Sequence, residues 1–87
     1  MEFELPADEV AKARQLTKDG HPADAVQAYA QALRKDPQNA QAWYEMGRLY
    51  YQAGKKEYAL KCFEAVIKLR PNDKALADWV EKYKRQP

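Results

Sequence analysis

An all-α fold is predicted by three observations. Apolar residues recur in steps of three and four with no strict alternation, prolines and glycines cut the chain at intervals, and those cuts superimpose when the sequence is shifted by 34 residues. Steps of three and four place side chains on one face of a helix, whereas a half-buried strand needs alternation. The expected architecture is two antiparallel helix hairpins followed by a lone capping helix: five helices, no strands, one domain.

The first helix is expected over 7–18, with Val10, Ala13 and Leu16 on its apolar stripe. Gly20 suits the left-handed residue that closes a helix, since it has no Cβ to clash there. Pro22 then opens the second helix, expected over 22–35, at a position where its missing N–H is not needed. Its stripe is Ala25, Val26, Tyr29, Ala32 and Leu33, and Pro37 stops it. Asn39 is a good N-cap for a third helix over 40–53, carrying Trp43, Met46, Gly47 and Tyr50. Gly54 repeats the closing role of Gly20. A fourth helix over 56–69 carries Ala59, Leu60, Phe63, Val66 and Ile67, and ends before Pro71. Asp73 caps a fifth over 73–84, with Leu76, Trp79, Val80 and Tyr83.

The bulk composition narrows function. Eighty-seven residues make one domain with a thin stability margin. Apolar residues are 46% and charged residues 32%, as in soluble helical domains. A formal charge of +2 does not point to nucleic acid. It is unevenly spread: residues 1–39 hold five Lys/Arg against seven Asp/Glu, and residues 40–87 hold ten against six. The basic residues of the second half fall on several faces, as solvated helices have them, so a nucleic-acid partner is not expected. The lone Cys62 excludes an internal disulfide and a cysteine zinc site, and reads as a packing residue. Met1–Pro6 is acidic and lacks the basic and apolar stretches of a signal peptide. No apolar run approaches the ~20 residues that span a bilayer, so a cytoplasmic protein without membrane partners is expected.

Under the 34-residue shift, Arg14 falls on Arg48, Gly20 on Gly54, Ala25 on Ala59, Tyr29 on Phe63, Leu33 on Ile67, Pro37 on Pro71 and Asn39 on Asp73. Repeat one then covers 6–39, repeat two 40–73, and the capping helix 74–85. In the second repeat, Trp43, Met46, Gly47, Tyr50, Ala59, Phe63 and Pro71 stand at the offsets of a known signature, and the chain resembles the tetratricopeptide repeat family. The resemblance implies an α-α superhelix. Gly47 and Ala59 are small where the helices of a hairpin approach, and Trp43, Tyr50 and Phe63 fill the space between successive hairpins. The first repeat keeps Leu16, Gly20, Ala25, Tyr29, Ala32 and Pro37, but has Glu9 in place of Trp43 and Ala13 in place of Gly47. A polar Glu9 suits an end with no outer neighbour. The cap departs from the pattern, with Trp79 where Glu45 stands and Lys84 where Tyr50 stands. Either this helix is rotated about its axis, or Trp79 leans into the groove.

Catalysis finds no residues to carry it. The one histidine, His21, lies in a turn beside Pro22, the carboxylates are scattered, and the three glycines are too far apart to cradle a phosphate. No cofactor or metal is expected. The resemblance implies instead a non-catalytic adaptor or scaffold whose concave groove, lined by the first helix of each hairpin, receives a protein or peptide segment. The residues expected to face it are Val10, Arg14 and Lys18, then Gln41, Tyr44, Glu45, Arg48, Tyr51 and Gln52, and from the cap Asp78, Trp79, Lys82 and Arg85. Of these, Arg14, Lys18, Tyr44, Arg48, Tyr51, Trp79 and Lys82 are the candidate partner-binding residues. Arginine forks and tyrosine rings are common anchors at interfaces. The partner segment is expected to carry a carboxylate with apolar neighbours. Relatives that grip acidic chaperone tails use a clamp of Lys, Asn, Asn, Lys and Arg. The corresponding positions are Val10, Arg14, Glu45, Ala75 and Trp79, so that partner class is not expected. Two other readings stay open: a self-association module that buries its open ends in a homo-oligomer, and an engineered or excised piece of a longer repeat protein.

Overall fold

The computed structural model describes residues 8–87. Its five helices run α1 Asp8–Lys18, α2 Pro22–Lys35, α3 Ala40–Gln52, α4 Lys56–Leu69 and α5 Lys74–Arg85, with no strand among the described residues. From the end of α1 onward, each boundary lies within a residue of its expectation. The expected starts of the first helix at 7 and of repeat one at 6 lie outside the described residues.

The punctuation acts as its chemistry requires. Gly20 and Gly54 take φ of 83° and 76°, the left-handed region that a Cβ disfavours. Each completes the same closing pair of hydrogen bonds. Gly20 N–H donates to the Thr17 carbonyl and His21 N–H to that of Leu16; Gly54 donates to Tyr51 and Lys55 to Tyr50. The Asn39 side chain accepts from Ala42 N–H at 3.1 Å, and the Asp73 carboxylate from Leu76 N–H at 3.1 Å. His21 precedes Pro22 and makes no side-chain cap.

Helices α1 and α2 pack as one hairpin, α3 and α4 as the next, with α2 against α3 and α4 against α5. The array is elongated, 51 × 28 × 17 Å. Two apolar clusters hold it. Val10, Ala13, Ala25, Tyr29, Ala32, Leu33, Ala42, Met46 and Leu49 form the first, joining the two hairpins, and half-buried Trp43 packs on it. The Trp43 indole N–H, which needs a partner when partly buried, donates to the Pro37 carbonyl at 2.8 Å. Ala59, Phe63, Val80 and Tyr83 form the second cluster, joining the second hairpin to α5. Tyr50 touches both clusters, yet its ring stacks on Tyr58 of its own hairpin at 5.2 Å.

Gly47 marks the closest approach of α3 to α4. A Cβ there would lie 2.8 Å from Phe63 Cε1 and 3.0 Å from Cys62 Cβ. The fully buried Ala59 is the small partner from α4. At the open end, Glu9 pairs with Lys35 across the first hairpin, which makes it an α1–α2 tie as well as a polar edge.

Candidate functional site

The two junctions between successive units are built on the same register and filled differently. At the first, Arg14 of α1 reaches across to Glu45 of α3. Its Nε donates to Glu45 Oε1 at 2.9 Å and its Nη2 to Oε2 at 3.0 Å, a planar fork meeting both carboxylate oxygens. Tyr29 of α2 donates its hydroxyl hydrogen to Glu45 Oε1 at 2.6 Å, and Gln41 Nε2 donates to Oε2 at 2.8 Å. Burial alone would push the Glu45 carboxyl up. The hydrogen bonds from Arg14, Tyr29 and Gln41 outweigh it and hold the group down at about 2. Tyr29 is pushed up to about 12, first by burial and then by donating to that carboxylate.

At the second junction the polar tie is replaced by aromatic rings. Phe63 stands where Tyr29 stood and Trp79 where Glu45 stood. The Trp79 ring meets Phe63 edge-on, with centroids 5.2 Å apart and an interplanar angle of 84°. It meets Tyr51 at 5.4 Å and 68°, and Tyr83 at 5.0 Å. Tyr83 also meets Tyr51 at 5.2 Å, and Tyr44 lies 5.9 Å from Phe63. Edge-on and tilted pairs suit the ring quadrupoles. Trp79 is 38% exposed, so its ring both packs on Phe63 and keeps an open face.

Beside these rings opens a cavity of about 500 Å³, lined by Tyr44, Arg48, Tyr51, Phe63 and Trp79, with Gln41, Val66, Arg70, Asp73, Ala75 and Leu76 at its margins. A smaller one of about 310 Å³ lies over the first junction, lined by Arg14, Thr17, Tyr29, Gln41, Glu45, Arg48, Leu49 and Gln52. Arg48 borders both, and its guanidinium has no hydrogen-bond or ion-pair partner among the described residues.

Four of the seven candidate binding residues therefore line one cavity: Tyr44, Arg48, Tyr51 and Trp79. Arg14 does not join them, because its fork is committed to Glu45. Lys18 and Lys82 are exposed and line neither cavity, as do Asp78 and Arg85. Val10, expected on the groove, is buried in the first cluster at 8% exposure, because α1 turns this position toward α2 and α3. The reading from sequence missed Arg70, Leu76 and the double duty of Phe63, which packs the second cluster and lines the cavity. Spacing within α3 and α5 cannot report the end of α4; the one available signal was that Arg70 precedes the turn at Pro71.

Among the described residues, no three of His, Cys, Asp and Glu converge to hold a metal. Cys62 is buried and its thiol is pushed up to about 11 by that burial, so it is a packing group rather than a reactive thiolate. No helix among them is long and apolar enough to cross a membrane.

Comparison with known proteins agrees with this geometry. A family model described as tetratricopeptide repeat matches residues 16–82. Superkiller protein 3 of Saccharomyces cerevisiae is 34% identical over 50 residues, covering 58% of this chain and 4% of that protein. A TPR repeat-containing protein of Methanocaldococcus jannaschii is 48% identical over 40 residues, 46% of this chain and 11% of its own length. The chain thus spans only a small part of either relative. Among solved structures, a tetratricopeptide repeat domain protein from Salinibacter ruber superimposes with a TM-score of 0.79 at 19% identity, covering 97% of this chain and all of that one. The repeat register, the two hairpins with their cap and the family match lead to one statement: this chain belongs to the tetratricopeptide repeat family.

Proposed function

We propose that this chain is a non-catalytic protein-interaction module that holds a segment of a partner protein in the cavity between α3 and α5. The observation that carries the reading is the cavity itself. It sets three partly exposed rings, Tyr44, Tyr51 and Trp79, around an arginine that no described residue engages. Rigid aromatic area with a polar or cationic neighbour is the composition of binding hot spots. A volume of about 500 Å³ falls in the range of ligand clefts, room enough for a few side chains of a bound segment.

Titration against a peptide selected by display on the folded chain tests the reading. Tyr44→Ala and Trp79→Ala should each weaken binding by about 2 kcal/mol or more, as truncated anchors do. Tyr58→Ala is the control, since Tyr58 is 55% exposed but lines neither cavity. Loss of affinity in Tyr58→Ala alone, with the other two binding like the parent, would place the partner elsewhere.

A further inference from the structure

Arg14 and Arg48 stand 34 residues apart at one repeat position, and the first junction shows what that position binds when its partner is present. Arg14 takes a carboxylate side-on, through Nε and Nη2, from the residue 31 positions ahead. The residue 31 positions ahead of Arg48 is Trp79, which brings a ring and no charge. Gln41, which steadies Glu45, is replaced by Ala75, and Tyr29 by Phe63, so every polar member of the first tie except the arginine is absent from the second. The fold thus reproduces one half of an arginine–carboxylate pair at the second junction and omits the other half.

No described neighbour supplies it. Glu45 lies one turn from Arg48 on the same helix, but its oxygens already accept from Arg14, Tyr29 and Gln41. Asp73, the one acidic residue lining the cavity, is engaged as the α5 N-cap. With Arg48 and Arg70 against Asp73, the lining carries a net charge of +1, complementary to an anionic segment.

We propose that the partner supplies the missing half: an Asp or Glu side chain meets Arg48 as Glu45 meets Arg14, while an apolar or aromatic side chain of the same segment packs against Tyr44, Tyr51 and Trp79. The inference rests on the reading of this cavity as the binding site and specifies what it selects. A guanidinium fork favours the planar carboxylate, and the surrounding rings lower the local polarity, which strengthens the contact. Trp79 is a specificity determinant twice over, by leaving Arg48 open and by offering the ring beside it.

A display library of random nonapeptides, panned in parallel on the parent chain and on Arg48→Ala, is the probe. The expected result is enrichment on the parent of peptides with Asp or Glu within two positions of an aromatic or leucine, and loss of that enrichment on Arg48→Ala. The top peptide and its version with that acidic residue changed to the amide are then titrated by fluorescence anisotropy. The amide should bind roughly 10- to 100-fold more weakly, a difference that shrinks to under threefold on Arg48→Ala. Arg48→Lys should recover only part of the preference, because an ammonium cannot reproduce the fork. Enriched peptides without an acidic residue that still lose affinity on Tyr44→Ala would overturn the carboxylate inference and leave the groove reading standing. Failure of any peptide to enrich, or enrichment that none of the cavity variants disturbs, would overturn both.

Discussion

Arg14 and Glu45, on different hairpins, meet through two parallel hydrogen bonds of 2.9 and 3.0 Å, yet the two residues contribute unequally to the fold. The Arg14 side chain is 54% exposed and the Glu45 side chain 17%. Removing the arginine breaks a contact that water partly replaces, whereas removing the glutamate also strips the buried Tyr29 hydroxyl of its carboxylate acceptor. Arg14→Ala should therefore cost at most about 1 kcal/mol. Glu45→Ala should cost about 1–3 kcal/mol. Urea denaturation of both variants measures the difference, and equal losses would contradict it.

The same network gives the protein an acid sensitivity of defined window. Glu45 titrates at about 2 in the fold against an ordinary 4.5. Its folded form favours the carboxylate, so its contribution is fully present above pH 4.5 and is lost as pH falls toward 2. Glu45→Gln should melt below the parent at pH 7, and the gap should close between pH 4.5 and 2. A gap that persists at pH 2 would show that lost packing, not charge, separates the two. At the alkaline end the sign reverses for Tyr29. Its raised value favours the neutral phenol in the fold, so its contribution is lost as pH rises from 10 to about 12.

Phe63 is 2% exposed and joins the second hairpin to α5. Phe63→Ala should cost roughly 3–5 kcal/mol. At 0.05–0.15 kcal/mol per residue, a chain of this size has about 4–13 kcal/mol in total, so the variant stands at the edge of folding. Circular dichroism melting is the measurement, and a parent-like melting temperature would show that Phe63 is not in the second cluster.

Gly47→Ala sets two effects against each other. Alanine gains about 1 kcal/mol over glycine inside a helix. Its Cβ would meet Phe63 Cε1 at 2.8 Å and Cys62 Cβ at 3.0 Å, and overpacking of a buried contact costs about 1–3 kcal/mol. Phe63 is held by Tyr44 and Trp79 and has little room to yield. The clash should win, with a net loss of up to about 2 kcal/mol by urea denaturation, and a net gain would refute the tight α3–α4 approach.

How much of this was legible in the sequence follows from the range of each interaction. Gly20, Asn39, Gly54 and Asp73 act on neighbours within five residues, so the helix ends and caps could be read directly. The 34-residue register carried the rest of the fold, because it repeats whole packing units. The same register placed Arg14 and Arg48 together as equivalent groove residues, but it could not show that only Arg14 is paired within the fold. Their environments differ through Glu45 and Trp79, residues 31 positions further on, which give Arg14 a carboxylate and Arg48 a cavity lined by rings. Trp79 itself was legible as a departure from the pattern but not as a direction, since only the packing of α5 on Phe63 and Tyr51 aims its ring.

The chain has two indole N–H groups that report on different places. That of Trp43 donates to Pro37, and Trp79 lines the cavity beside Arg48. A proton–nitrogen correlation spectrum recorded while the display-selected peptide is titrated in tests the binding site most directly. The Trp79 indole peak should move to saturation with the binding isotherm while the Trp43 peak stays in place. Saturated binding with the Trp79 peak unmoved, or with the Trp43 peak moving instead, would contradict the assignment of the α3–α5 cavity as the site of partner recognition.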